Sequence, residues 1–152
     1  KKKDEEYYDN TNQTYTYDAD AGTVTATYGD ATAKAHADAN ATDRDGVELD
    51  PVVVIEGLKT KKIKIIKAQA AGILEKTDWY ILRKADADTD VPSAITTFRA
   101  AVRTKAAAME TLVTNASNTA AIQTLYTYVN TADEGDPVVM ERPLGEFPVL
   151  GS

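Results

Sequence analysis

An α+β fold is predicted for this chain: a small β-hairpin-rich N-terminal part, then a three-helix domain with an extended C-terminal tail. Three observations predict it. Thr and Tyr alternate with other residues around a turn in residues 13–28. Apolar residues recur at helical spacing from residue 63 to residue 129. Residues 136–152 are apolar yet interrupted by Pro137, Pro143 and Pro148, which no long helix tolerates. The boundaries follow: 1–56 is a β-rich acidic region, 57–132 a helical domain of an αα-hairpin plus a third helix, and 133–152 an extended apolar tail.

The first element is the hairpin "QTYTYDADAGTVTATY", residues 13–28. Tyr15 and Tyr17 share one face, and Val24, Ala26 and Tyr28 share another. Asp18-Ala-Asp-Ala-Gly22 supplies the turn, with Gly22 free to take positive φ. In residues 30–46 Ala occupies every odd position from Ala31 to Ala41. Period two is a strand period, but Ala is a poor strand former. Two readings stay open there: a thin Ala face packed closely on another backbone, or a loosely ordered connector. "VELDPVVVIE" is a short β-prone run, with Pro51 marking an edge or an entry.

A helix follows in "LKTKKIKIIKAQAAGILEK", with Ile63, Ile66, Ala70, Ile73 and Leu74 on one stripe and Lys59, Lys62 and Lys67 on other faces. Gly72 weakens it by roughly 1 kcal/mol relative to Ala, which points to a close contact at that position. Residues 80–91 read as an acidic loop. Pro92 and Ser93 open a second helix with a stripe of Ile95, Phe98, Val102, Met109, Leu112 and Val113. A third helix, capped near Ser117 or Asn118, carries Ile122, Leu125, Tyr126 and Val129 and ends by Gly135 and Pro137.

Composition narrows the function. There is no cysteine, so disulfides and thiolate metal sites are excluded. The chain opens Lys-Lys-Lys-Asp-Glu-Glu, without the apolar segment of a signal peptide and without an initiator Met, as in a fragment or a processed chain. No apolar run approaches the ~18 residues that span a bilayer, so no membrane role is expected. The net charge is −7, distributed as −8 over residues 1–56, +5 over 57–76 and −4 over 77–152. An acidic chain repels phosphate backbones, so nucleic acid is not an expected partner. The basic stretch suits an acidic partner or the chain's own acidic half. With only two Phe and one Trp, the core is expected to be modest and partly dependent on a partner.

No catalytic chemistry stands out, and no enzyme, cofactor or metal is expected. Asp86, Asp88 and Asp90 begin like a Ca²⁺-binding loop, but Val91 and Thr97 stand where Gly and a bidentate Glu are needed. Asp43, Asp45 and Asp50 around Gly46 read as a plain turn. His36, the sole histidine, has no nucleophile motif nearby. Gly57-Leu-Lys-Thr lacks the spacing of a phosphate loop. Arg99 and Arg103 are spaced i,i+4 and share a helix face, where acids such as Asp78 or Asp86 suit them as partners.

One stretch carries a resemblance. "AAGILEKTDW" ends the first helix in Thr77-Asp78-Trp79, a short loop reaches Pro92, and "FRAAVR" follows with Phe98, Arg99 and Arg103. Over residues 63–113, about a third of the chain, this order and spacing resemble the helical domain of bacteriophage tail assembly chaperones, also called tail fibre assembly proteins. The resemblance implies an αα-hairpin whose corner holds Asp78 as a cap or arginine partner. Trp79 is expected to be buried between the helices, near Phe98 or Val102. It also implies a tail-associated protein that assembles with, or caps, a tail fibre or other tail component, in the virion tail or in the host cytoplasm during assembly. Its partner would be that tail protein, possibly the chain itself. A second class stays open: a self-assembling structural subunit of an extracellular or virion filament. The tail's apolar residues are expected to dock in extended form on another subunit, with Phe147 as anchor.

Overall fold

The computed structural model describes residues 1–151. It is α+β, with short antiparallel strand pairs and four helices. The strands are β1 (Tyr8–Asp9), β2 (Thr14–Asp18), β3 (Thr23–Thr27), β4 (Thr32–Ala33), β5 (Ala39–Asn40) and β6 (Val54–Ile55). Helices α1 (Leu58–Glu75), α2 (Asp78–Ala87), α3 (Ser93–Asn115) and α4 (Thr119–Tyr126) follow, then β7 (Val129–Asn130) and β8 (Met140–Glu141). The strands pair as β1–β4, β2–β3, β5–β6 and β7–β8, each a separate two-stranded ribbon.

The core is the antiparallel pair α1 and α3. Ile66 and Ala70 of α1 bury against Val102, Ala106, Met109 and Val113 of α3, and Leu144 of the tail completes the cluster. A second cluster lies at the other end, where Tyr7 and Tyr8 of the N-terminal segment close over Leu58, Ala116 and Ile122. The apolar period of 3.6 therefore finds its partner largely where expected. Leu112, 40% exposed on the outer side of α3, and Val129, exposed beyond the end of α4, are exceptions.

The Ala-alternating segment lies close on the start of α1 through its backbone and Asp38 and not through an Ala face, since Ala33, Ala35, Ala37 and Ala39 are exposed. It runs mostly extended, with only β4 and β5 as strands, and crosses the N-terminus of α1. Carbonyls of Ala35 and His36 accept the N–H groups of Leu58 and Lys59 at 2.9 and 3.0 Å. The Asp38 carboxylate accepts Gly57 N–H and the Thr60 hydroxyl, each at 2.8 Å. The first donors of α1 are thus satisfied by a distant segment instead of a local cap. The approach is close enough that a Cβ on Gly57 would overlap the backbone of Ala37, which requires glycine there.

Four expectations fail, each for a physical reason. The acidic loop after Trp79 is mostly helical: Asp78–Ala87 forms α2, whose large apolar residues run consecutively as Trp79-Tyr80-Ile81-Leu82 instead of recurring along the helix, and in which no residue is buried. The third helix stops at Tyr126, because Thr127-Tyr128-Val129 turns extended and β7 pairs with β8. Asn118 caps its start by accepting Ala121 N–H at 2.9 Å. A Cβ on Gly72 would meet nothing within 4 Å, so no close contact requires glycine there. Finally, Lys62 is buried to 4% exposure. Its ammonium pairs with Glu6 and lies 4.2 Å from the Tyr126 ring centroid and 4.9 Å from that of Tyr7.

Candidate functional site

The helical corner is built around Arg99. Its side chain is buried on α3, and Nη1 donates to the Leu74 carbonyl at 2.9 Å, Thr77 Oγ1 at 2.7 Å and Asp78 Oδ1 at 2.7 Å. Three acceptors share the two hydrogens of one nitrogen. Thr77 Oγ1 itself donates to the Leu74 carbonyl at 2.9 Å. The guanidinium therefore sits at the carbonyl end of α1, where a cation is favoured, and against the first residue of α2, where an anion is favoured. This fixes the turn between α1 and α2 and brings together Asp78 and Arg99 of the predicted set.

Trp79 is not buried between the helices. It lies on the outer face of α2, 49% exposed, stacked on Tyr80 with ring centroids 3.7 Å apart. The Arg83 guanidinium lies over both rings, 4.9 Å from Trp79 and 5.6 Å from Tyr80. The reason is geometric: α2 begins directly after Thr77, so the residue following Asp78 turns away from α3. Ile81 and Leu82 beside it are also exposed. Phe98 packs half-buried on the core instead, and Arg103 is exposed without an ion pair among the described residues.

The tail folds back on its own domain. Leu144 is 2% exposed and its N–H donates to the Leu125 carbonyl at 3.0 Å. Phe147 is half-buried against the core and, with Ile73, Thr77 and Phe98, lines a cleft of about 330 Å³. The predicted anchor thus finds its pocket in cis. Val138, Val139, Met140, Val149 and Leu150 stay exposed.

The ribbons are the other unpartnered surface. In β2–β3 the register sets Tyr15 opposite Ala26 and Tyr17 opposite Val24. All four side chains therefore share one face rather than two, and the opposite face is Thr with Asp18. Every residue of both strands is exposed. The β5–β6 ribbon exposes Val47, Val52, Val53, Val54 and Ile55, and the β7–β8 ribbon exposes Tyr128, Val129, Val138 and Met140.

The acidic groups are engaged in local structure. Asp43 Oδ1 accepts the N–H groups of Asp45 and Val47, each at 2.9 Å. Lys84 pairs with Asp88 at 2.7 Å and Asp90 at 2.9 Å. Among the described residues no group of three or more His, Asp and Glu is placed to hold a metal ion. No helix of the described residues is long and apolar enough to cross a membrane. The basic stretch is largely satisfied within the chain: Lys62 by Glu6, Lys64 by Glu56, Lys67 by Glu110 at 3.5 Å, and Lys59 by the Thr114 carbonyl at 2.8 Å.

Sequence reasoning missed Asp38 and Lys62. Hydrogen bonds from Gly57 and then Thr60 hold the Asp38 carboxyl below its ordinary range. Burial pushes the Tyr7 and Tyr126 hydroxyls up, and that of Tyr126 has no hydrogen-bond partner among the described residues. Both networks join residues far apart in the chain, so no local pattern marks them. No protein-family model, curated protein or solved structure matches this chain.

Proposed function

We propose that this chain is a bacteriophage tail-associated protein that assembles with, or caps, a tail fibre or other tail component. It works by protein–protein contact and not by chemistry. The observation that carries an assembly role is the set of ribbons with open edges and exposed apolar side chains. Unpaired strand edges are templates for strand addition, and soluble monomers avoid apolar surface of this extent. An exposed Trp79–Tyr80–Arg83 stack adds the residue types that dominate interface energy. The attribution to phage tails is supported by the Thr77-Asp78-Trp79 … Phe98-Arg99 order, whose Asp78–Arg99 pair fixes the corner between α1 and α2.

The test is co-expression with any candidate tail-fibre protein encoded by a neighbouring gene. A chaperone raises the yield of soluble fibre and forms a complex that size exclusion resolves. A virion component is found in purified particles by mass spectrometry. A chain that does neither, or whose neighbouring genes encode no tail protein, overturns the reading. The open edges also favour a filament subunit, which would sediment as a polymer when purified alone.

A further inference from the structure

We infer that α1 pairs with α1 of a second copy of this chain, antiparallel, about a two-fold axis at Ala68. The inference rests on the assembly reading and names one partner in it. Lys61, Ile65, Ala68, Gly72 and Glu75 are all exposed, and successive 100° steps place them within an arc of about 80° opposite the core. Gly72 lies on this face, where a Cβ would meet nothing within 4 Å. Its helix cost has no compensating contact inside the chain, whereas a second backbone approaching this face would supply one.

Charge identifies the occupant. Lys59, Lys62, Lys64 and Lys67 all have partners within the chain. Lys76 has no ion-pair partner among the described residues, and neither have Lys61 and Glu75. They stand about 21 Å apart along the helix and cannot reach each other. Both lie seven residues from Ala68, one on each side. An antiparallel copy centred on Ala68 therefore sets Lys61 against Glu75 of the other copy, twice, as an isologous interface requires. The same register places Ile65 beside Gly72 of the second copy and Lys64 beside its Ala71, and sets Lys76 level with Thr60. Small residues at the crossing permit an interaxial distance near 8 Å. One helix stripe buries little area, so the pair is weak, with a dissociation constant of about 10 μM or above.

The test uses the full chain in sedimentation velocity from micromolar to several hundred micromolar concentration. A monomer–dimer equilibrium is expected. Lys61→Glu or Glu75→Lys each weakens it at least tenfold, and the double variant restores it, because the pair is then rebuilt with its signs exchanged. As the chain has no cysteine, Ala68→Cys supplies a unique reporter. Under mild oxidation it is expected to cross-link into a dimer, while Thr111→Cys on α3 does not. A chain that stays monomeric throughout, a dimer indifferent to both charge reversals, or equal cross-linking at the two cysteines overturns the inference. None of these outcomes touches the fibre co-expression test, so failure here is distinguishable from failure of the assembly reading.

Discussion

Arg99 carries a positive charge into the junction of three helices, and its loss leaves the α1 carbonyl end and Asp78 without their donor. Asp78 keeps a half-exposed side chain, so water softens the loss below that of a fully buried pair. Arg99→Ala is expected to cost about 2–3 kcal/mol in denaturant unfolding. Trp79→Ala, at an exposed position, is expected to cost less than about 1 kcal/mol while weakening partner binding. Asp38 sets a pH dependence. Its folded value lies below the ordinary carboxylate one, so its contribution is full above about pH 4 and fades as pH falls through the folded value. Asp38→Asn should therefore be less stable than the parent at pH 7, with the gap narrowing below pH 4 in thermal melts. An acidic partner for Arg99 is readable from its spacing to the Thr77-Asp78 turn. Lys62 is not readable, because a lysine among lysines gives no hint that Glu6 and two tyrosines will enclose it.

Elements were legible where a period was sustained. Helices α1 and α3 follow from their stripes, and β2–β3 from alternation around Asp18–Gly22. The helix α2 was illegible because its ten residues bury nothing and are held in place by Arg99 from another helix. The end of α4 was illegible because the apolar spacing runs on through Val129 while the β-prone Thr-Tyr-Val changes the backbone. The β2–β3 ribbon touches little beyond its own base, where Gly29 N–H donates to the Thr11 carbonyl at 3.0 Å. Replacing residues 13–28 by a short Gly-Ser turn is expected to shift the melting temperature by no more than about 2 °C, read by circular dichroism. A larger fall would mean that the ribbon supports the core.

The molecule closes by its two flanks. Tyr7 and Tyr8 seal one end of the α1–α3 pair, and Leu144 and Phe147 cover the other side. Leu144→Ala is expected to cost about 2–5 kcal/mol, as for other deeply buried leucines. The tail's extended form was legible from its prolines. Its destination was not, because periodicity shows which side chains need cover and not which surface covers them. The candidate interaction surface divides the same way: the β2–β3 hairpin and an acidic partner for Arg99 leave marks in sequence, while the face that Tyr15, Tyr17, Val24 and Ala26 share depends on register and the outward position of Trp79 on where α2 begins.

That late closure sets an order of events in time. The α1–α3 pair is complete in sequence once residue 115 has been made, before any of the tail exists. Leu144 reaches Ile66 and Met109 only after the β7–β8 excursion has been made. A nascent chain that has emerged only as far as α4 therefore presents the α1–α3 apolar cluster without its Leu144 cover, a groove open to the first apolar segment it meets. During synthesis this groove is vacant until the chain's own residue 144 arrives to fill it.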